Sequence, residues 1–221
     1  MAAKYDLMND LMSLGIHRYW KSQFVRALPL KPQARILDVA GGTGDIAFKI
    51  LESYPYLNPS VTVCDLTPNM IEVGRSRALD RGHITQLEWA CGNAECLPFA
   101  DEQYDIYTIS FGMRNVTHLS KALAEAYRVL KPGGYFVCLE FSQVQLPLLE
   151  KIYNAYSFNI LPCLGEIVAK DRDSYQYLVE SIRRFPTQSQ FADLLKSTGF
   201  VDVDWKNFMA GVSCIHSARK K

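Results

Sequence analysis

Leu37 to Asp45 reads LDVAGGTGD, with glycines at 41, 42 and 44 directly after an apolar run and directly before a helical pattern. Backbone free of Cβ atoms at such places can turn sharply and lie against a ligand, so Gly41 and its neighbours mark a candidate binding turn. A glycine turn that feeds a helix suits a pyrophosphate. The dinucleotide fingerprint, however, wants a third glycine one helical turn further in. Here the turn closes as Gly42-Thr43-Gly44-Asp45. The acid at its mouth repels a pyrophosphate and tolerates a ligand carrying an ammonium and a sulfonium. Asp65 ends the next apolar run, about 20 residues on, where a carboxylate can accept both hydroxyls of a ribose. The alternative for Asp65 is a helix N-cap ahead of Pro68.

Two further segments belong with these. GNAECLPF places Asn93 after a third apolar run, where its side-chain amide can meet an adenine edge. SFGMRN ends a fourth run with Ser110 and the small Gly112, where the far end of such a ligand would lie. Four consecutive run ends with polar or small residues facing one crevice point to S-adenosylmethionine rather than NAD. Arg114 and Asn115 follow at the same edge. Of the histidines, His17 lies in the opening segment and could face the site. His118 begins a helix, His83 lies in a turn, and His216 reads as a core residue of the last strand. The six cysteines show neither a Cys-x-x-Cys pair nor a zinc spacing with histidine, so no metal is expected and they read as small buried residues.

These residues need a scaffold that brings run ends together. Strands are expected at 34–40, 60–66, 85–94, 104–112 and 135–141. Helices are expected over DIAFKILESY, over PNMIEVGRSRALDRG with Pro68 as its first residue, and over LSKALAEAYRVL, stopped by KPGG. Continuous apolar strands alternating with helices imply a parallel sheet covered on both faces. TQSQFADLLKSTGF reads as a capped helix ending at Gly199, and VDVDWKNF and GVSCIHSA as two strands joined by MAG. The expected fold is therefore α/β: a doubly wound, mostly parallel seven-stranded sheet with an antiparallel edge strand. One domain is expected over 1–221, with a helical lead-in or lid over 1–30 and a helical cap over 146–183.

Composition narrows the partners. A net charge of +1 gives no electrostatic argument for nucleic acid. No run of about 18 apolar residues is present to span a bilayer. The opening MAAKYDLMNDLMSLGIHRYWK reads as the inside of a structured segment, as in a trimmed chain, so its lack of a leader carries no argument about compartment.

At this level the chain resembles class I methyltransferases, and more narrowly the ubiquinone/menaquinone-biosynthesis C-methyltransferases. YDLMNDLMSLGIHRYW and RVLKPGGYFVCLEFS resemble the two long signatures of that family, and DVAGGTGD, SFGMRNV and DSYQYLVESIRRFP resemble it as well. The superfamily pattern puts glycine where Ala40 stands; this family has alanine there. The resemblance implies methylation of a ring carbon of a polyprenylated benzoquinol, with Thr43, Asp65, Asn93, Ala94 and Ser110 holding S-adenosylmethionine. THLSKAL, CLEFSQV and SYQYLVESIRRFP are most similar to the mitochondrial, ubiquinone-making branch, whose acceptor is 2-methoxy-6-polyprenyl-1,4-benzoquinol. That branch implies the matrix side of the inner membrane, the bacterial cytoplasm being the alternative.

Carbon methylation needs an ionised ring hydroxyl to enrich the attacking carbon, correct placement, and removal of the ring proton. The resemblance makes Arg114 the leading candidate. Because arginine does not deprotonate, it is read as stabilising quinolate charge or polarising a water that Asn115 positions; a surface arginine bonded to a carbonyl is the alternative. Tyr5 and Asn9 could lid the crevice, with His17 as a second candidate base. The apolar, aromatic stretch 146–168, including Tyr156, reads as a wall for the polyprenyl tail and as a peripheral membrane surface, or as packing against the sheet or a second subunit. A homodimer and a multi-enzyme biosynthetic complex are further expected partners. Demethylmenaquinol methylation, a silent scaffold subunit and an NAD-dependent reductase remain competing readings.

Overall fold

The computed structural model describes residues 15–144 and 172–221. Its elements are α1 (His17–Arg26), β1 (Arg35–Val39), α2 (Asp45–Ser53), β2 (Ser60–Asp65), α3 (Pro68–Asp80), β3 (Leu87–Cys91), β4 (Tyr104–Ser110), α4 (Leu119–Val129), β5 (Leu130–Phe141), α5 (Arg172–Arg184), α6 (Gln188–Thr198), β6 (Val201–Phe208) and β7 (Ser213–Arg219). Period-2 alternation sorts the strands' side chains onto two covered faces. Ile36, Val63, Ile106, Val137 and Leu139 pack on one side with α1 and α2. Leu37, Val39, Tyr107, Ile109, Phe136 and Cys138 pack on the other with α4 and α6. Both faces are apolar, which is why the strands read as continuous apolar runs.

The seven strands lie in the order β3-β2-β1-β4-β5-β7-β6. The first five run parallel; β7 is antiparallel to β5, and the edge strand β6 pairs antiparallel with β7. The reversed strand is thus β7, one in from the edge. The strand order changes direction between β1 and β4, the place where the two following connections part to opposite sides and open a crevice.

Several boundaries differ from expectation for physical reasons. β3 stops at Cys91: the Gly92 amide makes a last ladder bond to the Asp65 carbonyl, and Asn93 then folds its side chain onto the Glu95 amide. β4 stops at Ser110, since Phe111 takes a left-handed φ of 55°. KPGG does not form a helical stop: α4 ends at Val129, and Lys131–Gly134 belong to β5. A register shift between Tyr104 and Ile106 lets that ladder hold a proline and a left-handed Gly133. Thr187 and Gln190 form a reciprocal capping box at the start of α6, and Gly199 caps its end. Cys64, Cys138 and Cys214 are buried, as expected of small core residues, but Cys91 and Cys96 are exposed. The whole of the 146–168 stretch, with Tyr156, and the lead-in residues Tyr5 and Asn9 lie outside the described residues.

At the strand reversal the turns after β1 and β4 touch. A Cβ on Gly112 would lie 2.5 Å from the Ala40 Cβ, and Ala40 itself holds a left-handed φ of 50°. Gly112→Ala is therefore expected to destabilise the protein by about 1–3 kcal/mol, read as a lower urea midpoint with unchanged slope.

Candidate active site

The crevice at the strand reversal is a cavity of about 310 Å³ walled by the turns after β1, β2 and β4 and by Lys21 of α1. Gly41 lies against the sheet: a Cβ there would come 2.7 Å from Val63 Cγ1 and 2.8 Å from Asp38 Oδ2. The Gly42 amide donates to Asp65 Oδ2 at 2.8 Å, and the Thr67 amide donates to Asp65 Oδ1 at 2.9 Å. Asp65 thus ties the glycine turn to the end of β2. It is not the α3 N-cap; that position is Thr67. Each carboxylate oxygen keeps a second lone pair for a hydroxyl. Thr43 lines the cavity while its hydroxyl accepts from Arg77 Nη1 at 2.8 Å.

Asp38, absent from the sequence-derived candidates, is the most unusual group in the crevice. It is fully buried in β1, with Oδ1 accepting from the Thr108 hydroxyl at 2.8 Å. Its Oδ2 is buried without a hydrogen-bond partner and its side chain lines the cavity. Burial pushes its carboxyl up to about 7, against the opposing Thr108 hydrogen bond. Ser110 Oγ is a second buried, unpartnered atom on the same wall. Orphaned buried polar atoms cost about 1–3 kcal/mol each and call for a ligand.

Asp45 was expected to stand as a bare acid at the mouth. Instead Lys21 Nζ donates to its Oδ2 at 2.8 Å. Although burial alone would raise it, the Lys21 ammonium holds the Asp45 carboxyl below its usual value. His17 is buried on α1, one turn before Lys21 and within electrostatic reach of Asp45.

Arg114 and Asn115 part company. Asn115 lines the cavity, and the Tyr177 hydroxyl of α5 donates to its Oδ1 at 3.4 Å. The Arg114 guanidinium turns beneath the crevice floor, where its side chain is 2% exposed and Glu140 of β5 is 1% exposed. Arg114 Nη1 donates to Glu140 Oε1 at 2.8 Å and to the Phe111 carbonyl, and its backbone amide donates to Glu140 Oε2. A buried guanidinium needs a carboxylate, and β5 supplies it. Asn93 and Ala94 follow β3, one strand out from Asp65, and do not line the cavity; Asn93 is exposed. His216 sits in the core with Nε2 on the Gln188 carbonyl, and His118 pairs with Glu95. Sequence patterns missed Lys21, Asp38 and Tyr177. Only Asp38 carried a signal, a carboxylate inside an apolar strand.

The model of the ubiE/COQ5 methyltransferase family matches residues 1–220. The mitochondrial 2-methoxy-6-polyprenyl-1,4-benzoquinol methylase of Rattus norvegicus is 47% identical over 253 residues, covering 100% of this chain and 77% of the relative. The ubiquinone/menaquinone biosynthesis C-methyltransferase UbiE of Paracoccus denitrificans is 52% identical over 220 residues, covering 100% and 87%. The crystal structure of a putative methyltransferase from Bacillus halodurans superimposes with a TM-score of 0.65 at 22% identity, over 90% of this chain and 98% of the other.

Substitutions at Glu140 and Asp38 test these contacts. Glu140→Ala leaves the buried guanidinium without its carboxylate and is expected to cost about 3–5 kcal/mol, with Glu140→Gln milder, by urea denaturation. For Asp38, the native state keeps a proton that the unfolded chain, with its ordinary value of 3.8, has released. Stability of the ligand-free protein should therefore fall as pH rises from about 4 to about 7 and level off above that. Asp38→Asn should remove this slope, so its melting temperature should gain on the wild type between pH 5 and pH 8.

Proposed function

The chain belongs to the ubiE/COQ5 methyltransferase family, and from that premise we propose that it transfers a methyl group from S-adenosylmethionine to a ring carbon of 2-methoxy-6-polyprenyl-1,4-benzoquinol in ubiquinone biosynthesis. The observation that carries the reading is one cavity in which Asp65 stands at one strand end while two buried polar atoms, Asp38 Oδ2 and Ser110 Oγ, await partners. Asp65 takes the ribose hydroxyls, Leu66 and Met70 offer apolar surface to the adenine, and Asn93 and Ala94 approach its edge from β3. Asp38 faces the ligand's ammonium. A cationic ligand beside Asp38 favours the ionised carboxylate and relieves the strain of burying it. A scaffold without a ligand has no use for that arrangement.

The bound cofactor supplies an electrophilic methyl group on a sulfonium. The protein's part is to hold the quinol ring carbon in line, favour the ring oxyanion, and let the ring proton leave as the new carbon–carbon bond forms. Asn115 is the side chain of the Arg114–Asn115 pair that reaches the cavity, so it contacts the quinol or the water that carries the proton away. Arg114 acts as a positioning residue from below: with Glu140, which offsets its charge, it fixes the turn that presents Asn115. We keep His17 as the second candidate base, and Tyr5, Asn9 and Tyr156 as proposed contacts of the quinol and its tail.

An acceptor with a polyprenyl tail places the enzyme at a lipid surface. No helix among the described residues is long and apolar enough to cross a membrane. The mitochondrial relatives support a mitochondrial location, which we propose is the matrix face of the inner membrane; with the bacterial relatives the bacterial cytoplasm stays as the alternative. The printed name of the Paracoccus relative covers menaquinone as well, and methylation of demethylmenaquinol is the second reading.

Calorimetric titration of the full chain with S-adenosylmethionine and S-adenosylhomocysteine tests the cofactor. Micromolar affinity is expected, and Asp65→Ala should lower it at least tenfold, about 1.4 kcal/mol. Binding of neither ligand would sink the reading. Asn115→Ala and Arg114→Ala should each lower kcat on the reduced quinol while leaving homocysteine-ligand affinity within about twofold.

A further inference from the structure

We infer that Lys21 and Asp45 together form the receptor for the amino-acid end of the cofactor, with the Lys21 ammonium taking its α-carboxylate; the inference rests on the cavity being an S-adenosylmethionine site. Lys21 is not a surface lysine that happens to lie near. Trp20, Phe24 and Val25 bury α1 in the core, and the Lys21 side chain is itself only 11% exposed. Holding an ammonium in that position requires anions around it. Asp45 supplies one at 2.8 Å across the gap between α1 and α2. An ammonium has three donors. Among the described residues Asp45 Oδ2 is the one acceptor that Lys21 meets, so the remaining donors are available to a ligand in the cavity it lines.

Charge matching gives the assignment its direction. The described cavity wall carries three carboxylates, Asp38, Asp45 and Asp65, and a single basic side chain, Lys21. The amino-acid end of the ligand carries a sulfonium, an ammonium and a carboxylate. Its cationic groups have Asp38 and Asp45 to meet, and its carboxylate has one cation on the wall, Lys21. A carboxylate placed elsewhere in the crevice would face like charge. Asp45 plays two parts: it keeps Lys21 pointing at the cavity, and its own charge is offset so that a ligand carboxylate is not driven out. The pair thereby selects for a zwitterion, and α1, anchored by its aromatic face, becomes part of the cofactor site.

The experiment compares two ligands that differ in the amino-acid end. S-adenosylhomocysteine has the carboxylate and ammonium, and 5′-methylthioadenosine lacks both. Titrations of the full chain are made with wild type and Lys21→Gln, a change that removes the charge but keeps a donor for Asp45. Lys21→Gln should weaken S-adenosylhomocysteine at least tenfold and leave 5′-methylthioadenosine within about twofold. Equal weakening of both ligands would make Lys21 a structural brace, and no weakening of either would leave the carboxylate without a role for Lys21; both results overturn the assignment. A second measurement needs no variant. Decarboxylated S-adenosylmethionine should bind the wild type at least tenfold more weakly than S-adenosylmethionine, and equal binding would overturn the assignment even if Lys21→Gln failed to fold. Should the wild type bind none of these ligands, the cofactor reading itself falls, a result distinct from either of the others.

Discussion

A parallel sheet that reverses its strand order can hold a ligand at one place without breaking a ladder, and the rest of this molecule is arranged around that constraint. β1 and β4 are neighbours, yet the chain leaves them toward opposite faces. Their carboxyl ends cannot both be covered by the helices that follow, so backbone amides and strand-end side chains stay open to a ligand there. Because both sheet faces are already committed to apolar packing, polar groups of the site have only strand ends and turns to occupy. Asp65, Ser110 and Asn115 sit at such ends. Asp38 is the exception, set one residue inside β1 and held by Thr108 of the adjacent strand.

The site is built in layers of charge. At the surface of the crevice stand the Lys21–Asp45 pair and the orphaned oxygen of Asp38. Beneath it lies the Arg114–Glu140 pair, closed off from solvent. A buried ion pair of this kind adds little net stability over an apolar replacement, but it fixes direction. Glu140 accepts from both the guanidinium and the backbone amide of Arg114, so one carboxylate sets the orientation of the whole Met113–Asn115 turn. The side chain that reaches the cavity is therefore placed by a residue that does not.

How much of this could be read from the chain follows from range. The glycine turn, Asp65 and the helix starts were legible because their chemistry is local: a turn, a strand end, a proline at a first helical position. The alternation of apolar strands and helices carried the sheet. KPGG was misread because proline and glycine punctuate most chains, whereas here a register shift across from Tyr104 absorbs them into β5. Arg114 was located correctly along the chain but its direction was not legible, since Glu140 lies 26 residues on and in another strand. Lys21 was hidden for a similar reason. Its place at the cavity depends on how α1 docks, and α1 docks through Trp20 and Phe24, whose partners are spread over the sheet.

The contact between Ala40 and Gly112 has a consequence for how this chain could have varied. The two turns have room between them for one methyl group, and it is spent at position 40. Residue identities at 40 and 112 are then a single shared choice rather than two independent ones. A lineage carrying glycine at the first position would have space to accept alanine at the second, while a lineage like this one would not. Ala40 thus has a hidden partner 72 residues away in the numbering, and a change at either position sets what the other can hold.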